Sequence, residues 1–198
     1  MRALLELEKV SRTYGGGLFA RRQVMAVNDV SLRLEEGRPE IFTVVGESGS
    51  GKTTLARMIL NMVPTSAGTI RFQGADLATI RGAAARRAFM RKVQPIFQNP
   101  FEAFNPMKRV DRYLFATARR MADVATDAAA AEASDTALKS VGLSLAEVRR
   151  RFPHQLSGGQ LQRVAIARAL ILANCRRGLP SCARSSRSSR TPSRRSIP

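Results

Sequence analysis

The chain has 198 residues, of which 44% are hydrophobic, and a formal net charge of +18 at pH 7. This length favours one domain, or at most two, with enough apolar residues for a core. No apolar run approaches the ~18 residues that a membrane span requires. The start is short and acidic, with Glu6 and Glu8, which does not fit a secretory signal peptide. Two cysteines are too few for a disulfide framework or a four-cysteine metal site. We therefore expect a cytosolic chain.

The positive charge is unevenly distributed. Residues 175–198 contain seven arginines and no acid, whereas the first 174 residues contain 26 Lys+Arg and all 15 Asp+Glu, a net charge of +11. A basic surface of dispersed charges is more typical of a solvated face than of a nucleic-acid groove. Nucleic acid is therefore not favoured as a partner.

Strand patterns dominate the first part of the chain. The stretch 4–17 looks like an edge strand followed by a turn, and the stretch 23–37 alternates apolar and polar residues as a half-buried strand does. "PEIFTVV", residues 39–45, is a short apolar run with β-branched residues, which indicates a buried strand. "SAGTIRFQGADL" predicts a turn, a strand and a second turn.

The stretch "VVGESGSGKTTLARMIL", residues 44–60, contains the P-loop pattern G-x-x-x-x-G-K-[ST]. The predicted strand precedes it, and a helix follows that Pro64 ends. Glycines let such a loop fold around an anion, while its N–H groups and the helix N-terminus point at phosphate oxygens. Lys52 should reach the β- and γ-phosphates of a nucleotide, and the Thr53 hydroxyl should ligate Mg²⁺. The alternative is a glycine-rich turn that binds nothing. The predicted nucleotide contacts within the loop are Gly46, Glu47, Ser48, Gly49, Ser50, Gly51, Lys52, Thr53 and Thr54.

The pattern becomes helical and alanine-rich from about Ala83, and a long helix follows "LSGGQ", residues 156–160. Ser157 is a plausible N-cap of that helix, and two glycines at a helix start form another anion-receptive end. We therefore predict an α/β core that carries the phosphate loop, with a helical insertion spanning about residues 83–160.

The P-loop and this second motif together resemble the ATP-binding cassette (ABC) family, the ATPase subunits of ABC transporters, over residues 3–173. The resemblance implies that Tyr14 stacks on adenine. It also implies that Gln98 in "PIFQNP" is the Q-loop residue, which senses the γ-phosphate and links Mg²⁺ and the attacking water to the helical subdomain that contacts the permease. A turn-flanking tyrosine and a turn glutamine before proline are the plainer alternatives. The family signature corresponds to Leu156, Ser157, Gly158, Gly159 and Gln160.

The function of the ABC family implies the expected cofactors and partners of this chain. The resemblance implies ATP and Mg²⁺, a second cassette (identical or different) whose nucleotide the signature contacts, and transmembrane permease subunits, with a substrate-binding protein acting indirectly. The chain would then lie on the cytoplasmic side of the inner membrane. Residues 91–110 resemble the corresponding stretch of oligopeptide and dipeptide importers, so the resemblance favours peptides as cargo.

The family's acidic residues are missing. Its Walker B aspartate and the glutamate that serves as general base should follow the signature helix, yet Glu147 is the last acidic residue of this chain. The family's switch histidine is also missing, because the single histidine, His154, precedes the signature. We therefore expect ATP binding with impaired hydrolysis. Without the Walker B strand, the P-loop strand should expose a hydrophobic edge.

The stretch 175–198 contains fourteen Ser and Arg residues and three prolines, a composition that predicts disorder. We interpret residues 1–174 as an incomplete ABC nucleotide-binding domain with an incomplete sheet on its C-terminal side, and residues 175–198 as the product of a frameshift or truncation. One alternative is an ABC ATPase without a transport role, which would not co-purify with membrane subunits. Another is a vestigial cassette whose basic tail binds nucleic acid, which predicts steeply salt-dependent binding that needs residues 175–198.

Overall fold

A computed structural model describes residues 2–15, 23–37, 39–122 and 124–176. The chain divides into two compact units between Val93 and Gln94. The first contains a sheet and two helices, and the second is helical. The predicted mixture of helix and sheet is confirmed. The predicted tail, apart from its first two residues, lies outside the described residues.

The first unit is built on a four-stranded antiparallel sheet in the order β2-β1-β3-β4. Strand β1 pairs with both β2 and β3, so the prediction that it is an edge strand was wrong. Alternation alone does not reveal how many neighbours a strand has, because both edge and central strands of a half-buried sheet show it. The strands are β1 (Ala3–Tyr14), β2 (Val24–Glu35), β3 (Ala67–Phe72) and β4 (Ala75–Asp76).

Helix α1 (Lys52–Ile59) packs on this sheet through Leu55 and Met58, which are buried with residues of β1, β2 and β3. The helix ends before the predicted Pro64, because Asn61 takes a positive φ of 53°. The N–H groups of Asn61 and Met62 then donate to the carbonyls of Met58 and Arg57, each at 2.9 Å, which is a Schellman ending. Helix α2 (Gly82–Lys92) completes the unit, with Phe89 packed edge-on against Phe72.

Residues 39–47 form no strand, and the prediction of a buried strand there was wrong. Ile41 is 96% exposed and Val45 is 87% exposed. A strand needs a neighbour to satisfy its N–H and C=O groups, and no described strand pairs with these residues. The described residues include no strand that could pair with this segment and bury it. The expected exposed edge of a P-loop strand is not formed, because the segment is not a strand, although its apolar side chains are exposed.

The second unit encloses its own hydrophobic core. Three helices supply most of it, and fully buried residues such as Leu114, Leu138, Leu161 and Ile171 line their facing sides. Two short 3₁₀ turns, Pro100–Ala103 and Pro153–Gln155, connect the elements. The helices are α3 (Val110–Met121), α4 (Asp127–Lys139), α5 (Leu145–Val148) and α6 (Gly158–Arg176). Among the described residues, no helix has both the length and the apolar character needed to span a bilayer.

Candidate functional site

The P-loop residues form a turn directly before α1. The Ser50 N–H donates to the Glu47 carbonyl at 3.2 Å. Gly49 and Gly51 have φ values of 84° and 89°, in the left-handed region that favours glycine. At Gly51 a Cβ atom would collide with the backbone carbonyl of Ala26 in β2. Glycine at this position therefore allows both the turn and its close approach to the sheet.

Lys52 closes the loop on itself. Its ammonium donates to the carbonyls of Gly46 at 2.8 Å and Glu47 at 2.5 Å, and to the Ser50 hydroxyl at 3.3 Å. These contacts hold a positive charge at the centre of a loop whose carbonyls point toward it. Because Lys52 contacts carbonyl and hydroxyl oxygens, it does not compete for the loop N–H groups that an anion would use.

The start of α1 adds to the positive character of the loop. Its N-cap residue, Gly51, has no side chain that could cap the helix, and the first turn contains no acidic residue. The first N–H groups of a helix have no partner within the helix, and the helix dipole places partial positive charge there. The exposed side chain of Thr53 lies in this first turn, while Thr54 is half-buried. This end of the helix suits a phosphate group.

A cleft of about 690 Å³ lies beside the loop. Its polar end is formed by Gly46, Ser50, Gly51 and Lys52. Its other walls are mostly apolar and come from β2 and the segment that precedes the loop, with Met25, Val27, Leu32, Phe42 and Val44 among the lining residues. The cleft therefore joins an anion-receptive end to an apolar surface, which are the two features that a nucleotide site requires.

Tyr14 lies at the end of β1, paired with Val24, and is 39% exposed. The Arg12 guanidinium lies 4.7 Å from the centre of the Tyr14 ring, a cation–π contact that covers one ring face. Tyr14 is not among the described residues that line the cleft. The adenine contact of Tyr14 therefore remains a prediction.

Gln98 belongs to the second unit, in an exposed bend between α2 and the 3₁₀ turn Pro100–Ala103. Asn99 caps that turn, since its side-chain oxygen accepts from the Phe101 N–H at 3.1 Å. The Gln98 side chain is therefore presented to solvent from an anchored stretch of backbone. Its predicted role in binding Mg²⁺ and water remains a prediction.

The signature residues form the start of α6, and the predicted N-cap is confirmed. The Gln160 N–H donates to the Ser157 hydroxyl oxygen at 3.2 Å, and the Ser157 N–H donates to the Gln160 side-chain oxygen at 3.0 Å. This reciprocal pair is a capping box. Leu156 anchors the turn in the core, at 6% exposure.

The two signature glycines leave bare backbone at the helix start. A Cβ atom at Gly158 or Gly159 would meet no heavy atom within 4 Å. Sequence reasoning missed Gln162 and Arg163, the next polar residues of α6. The Gln162 amide reaches the carbonyl of Phe97, and the Arg163 guanidinium reaches that of Gly142, at 3.3 and 3.4 Å. Nothing in the sequence marks such long-range contacts to backbone carbonyls.

The acidic residues that the structure describes form no metal-binding cluster, although Glu47 lies within the P-loop. In the part of the chain that the structure describes, no three His, Cys, Asp or Glu residues come together in a way that could hold a metal ion. The last acidic residue, Glu147, is used in the capping box of α5: its carboxylate accepts from the Ser144 N–H and hydroxyl, each at 2.7 Å. These hydrogen bonds lower the pKa of Glu147. His154 stacks on Phe152 at 5.7 Å between ring centres.

Comparison with known proteins identifies the class of the chain. The family model described as "ABC transporter" matches residues 27–175, which include both the P-loop and the signature. The chain belongs to this family and contains part of its ATPase domain.

Two relatives show which proteins the chain is similar to. The nickel import ATP-binding protein NikE of Pseudomonas putida is 42% identical over 171 residues, which cover 85% of this chain and 60% of that protein. A putative peptide import ATP-binding protein of Brucella abortus is 42% identical over 164 residues, which cover 81% of this chain and 46% of that protein. The chain thus spans about half to three-fifths of the length of these relatives.

A solved structure agrees with the fold. A dimeric ATP-binding cassette in a post-hydrolysis state, bound to ADP and Pi, matches with a TM-score of 0.74 and 26% sequence identity. The match covers 85% of this chain and 70% of the cassette. The predicted P-loop NTPase fold class is confirmed.

Proposed function

We propose that this chain is an ATP-binding component of an ABC importer and that the phosphates of ATP bind at residues 46–54. The observation that carries this proposal is the loop geometry, in which the Lys52 ammonium is enclosed by two carbonyls and a hydroxyl at the uncapped start of α1. When a nucleotide enters, its phosphate oxygens accept from the loop N–H groups, and Lys52 exchanges loop carbonyls for phosphate.

The residues present fit Mg²⁺ only in part. Magnesium prefers oxygen ligands and is often shared with substrate phosphates. The exposed Thr53 hydroxyl is one such ligand beside the loop, and Gln98 is the proposed second. The described residues supply no acidic cluster to join them. When bound with ATP, the ion would neutralise phosphate charge, while the protein's own contribution would come mainly from the loop and Lys52.

We further propose that the chain binds ATP but hydrolyses it slowly. Phosphoryl transfer requires a group that positions the attacking water and carboxylates that hold the metal shell. The sequence contains no Asp or Glu after Glu147, and Glu147 itself is occupied by Ser144. Losing one such electrostatic group typically lowers the rate by a factor of about 10²–10³.

The signature supports a proposal about the nucleotide of a second cassette. The start of α6 presents bare glycine backbone and an N-cap serine, and a helix start of this kind accepts phosphate oxygens. The solved relative is a dimer bound to ADP and Pi. We propose that this chain likewise works in a pair, so that its signature contacts the partner's ATP.

The cargo and the membrane partners are also proposals. The relatives named above import nickel or peptides, and residues 91–110 favour oligopeptides or dipeptides for this chain. Permease subunits would place it at the cytoplasmic face of the inner membrane, and a substrate-binding protein would act through them. Isolation of the tagged chain from its own cells tests this placement, because a permease should co-purify and a purely soluble preparation would count against transport.

ATP binding is tested by titration calorimetry of the whole chain with ATP and Mg²⁺, with release of phosphate measured in parallel. Lys52→Ala removes a charge-assisted hydrogen bond worth about 1.5–3 kcal/mol, so the dissociation constant should rise at least tenfold. Arg57→Ala is the matched control, since it removes a cation from the exposed face of the same helix. Equal affinity of the two variants would contradict the proposed site, and phosphate release at a rate normal for the family would contradict slow hydrolysis.

A further inference from the structure

One hydrogen bond connects the signature helix with the segment that carries Gln98. The side-chain amide of Gln162, in the second turn of α6, donates to the backbone carbonyl of Phe97 at 3.3 Å. The two residues are 65 positions apart, and Phe97 directly precedes Gln98. Both belong to the second unit. The contact thus joins the two predicted nucleotide-sensing elements of this unit.

The backbone around Phe97 has little regular support of its own. Residues 93–97 lie in no helix or strand, and residues 98–99 form a bend. Toward the C-terminal side, Asn99 holds the following 3₁₀ turn. The Phe97 carbonyl belongs to no helix or sheet, so the Gln162 amide supplies a hydrogen bond that regular structure does not supply there.

Packing alone does not explain why a glutamine occupies position 162. Its side-chain oxygen is shielded from solvent and has no hydrogen-bond partner among the described residues. A buried acceptor without a partner is unfavourable, and an apolar side chain of similar size would avoid that cost. What glutamine provides here, and an apolar residue cannot, is the N–H donated to Phe97.

We propose that Gln162 is a positioning residue that fixes the Gln98 segment on the signature helix. Gln162 lies five positions after Ser157, about 7.5 Å along a helix. A shift of the signature start would therefore move the donor with it, and the donor would move the backbone next to Gln98. The functional meaning of this link rests on the proposed ATP-binding function, whereas the link itself does not.

The link can be tested with a single fluorescent reporter, because the sequence contains no tryptophan. Ile96 is 47% exposed, so Ile96→Trp introduces a probe beside Phe97 with little disturbance of the core. Time-resolved anisotropy of the whole chain then reports nanosecond motion of this segment. Adding Gln162→Met, which keeps the size but removes the donor, should increase the amplitude of that motion at least twofold while the melting temperature stays within a few degrees.

Gln155→Met is the matched control. It also removes a glutamine that bonds to backbone in the second unit, where its side-chain oxygen accepts from the Phe152 N–H at 2.8 Å. It should leave the motion of the reporter unchanged. Gln162→Glu, which cannot donate when ionised, should reproduce the effect of Gln162→Met. An unchanged reporter in both Gln162 variants, or an equal change in the control, would overturn the proposal.

Addition of ATP and Mg²⁺ separates this proposal from the proposed function. If the function holds, ATP should reduce the motion of the reporter in the chain that retains Gln162 and should do so less in the Gln162→Met variant. If the donor variants loosen the segment but ATP has no effect on any of the proteins, the positioning role stands and the proposed function fails. If the donor variants loosen the segment but ATP acts equally on both proteins, the positioning role stands and a role of the link in sensing ATP is overturned.

Discussion

The two units of the chain differ in how far they bury their apolar residues. In the second unit, Leu114, Leu161 and Ile171 have no exposed surface. In the first unit, the segment before the P-loop leaves Ile41 and Val45 almost fully exposed. The segment before the P-loop is itself apolar in sequence, so its composition does not explain why it is exposed.

The difference follows from how helices and strands satisfy their backbone groups. A helix forms its own hydrogen bonds and needs only a face to pack against, and three nearby helices supply that face within the second unit. A strand needs a neighbour along its whole edge. Residues 39–47 have none among the described strands, so an apolar sequence alone does not make a strand. Within the described residues, the phosphate loop is thus anchored by α1 and β2 on one side only.

The strongest test of the helical core is Leu114→Ala in α3. Removing a fully buried leucine side chain should lower the free energy of unfolding by about 2–5 kcal/mol. Urea denaturation followed by far-ultraviolet circular dichroism measures this. Arg112→Ala, on the exposed side of the same helix, should cost less than about 0.5 kcal/mol. Similar losses for both would mean that the second unit has no specific core.

The anchoring of the loop on β2 is tested by Gly51→Ala. The new methyl group would collide with the Ala26 carbonyl, and alanine would have to adopt a left-handed φ. We therefore expect the free energy of unfolding to fall by about 1–3 kcal/mol and ATP binding to weaken. Gly49→Ala has a similar φ but open space around it, and should cost only about 1 kcal/mol. If Gly51→Ala and Gly49→Ala have equal effects on the melting temperature and on ATP affinity, the close approach of Gly51 to β2 does not stabilise the loop.

The pH dependence of the second unit should include a contribution from Asp135. Hydrogen bonds from Lys139 and the Leu145 N–H, each at 2.8 Å, lower the pKa of Asp135. Its contribution should be fully present above the unfolded pKa of about 3.9 and should be lost as pH falls through the lowered folded value. Asp135→Ala should therefore cost about 1 kcal/mol at pH 7 and almost nothing in strong acid.

Lys139→Met serves as the control for that change. It removes only the largely exposed partner and should cost no more than a few tenths of a kcal/mol, since surface ion pairs contribute little. Denaturant titrations at several pH values compare the two variants. If the difference in free energy of unfolding between Asp135→Ala and the parent chain grows as pH falls, the predicted contribution of Asp135 is contradicted.

The smallest expected effect is that of Val45→Thr. Because Val45 is 87% exposed, the substitution should change the free energy of unfolding by less than about 0.5 kcal/mol and should reduce light scattering at high concentration. The matched change in β1, Val10→Thr, places a hydroxyl at a fully buried site and should cost about 1–3 kcal/mol. Comparable costs would show that the segment before the loop is buried after all.

The sequence predicted the elements whose stabilising contacts are local. The P-loop was marked by its glycines and lysine, and Ser157 by its position before an apolar helix. Sequence patterns failed to predict features that depend on residues distant in the chain. They could not show that β1 has two partners, that residues 39–47 have none among the described strands, or that Gln162 reaches Phe97. The end of α1 at Asn61 was missed because asparagine at a positive φ ends a helix as glycine does.

Hydrogen–deuterium exchange of the whole chain, with and without ATP and Mg²⁺, tests the central claim most directly. Without nucleotide, amides of residues 40–45 should exchange rapidly while those of residues 161–172 stay protected. With nucleotide, amides of residues 46–53 should become protected and the helix should not change. Strong protection of residues 40–45 before ATP is added would contradict the one-sided anchoring of the loop. An absence of any effect of ATP on residues 46–53 would contradict the nucleotide site itself.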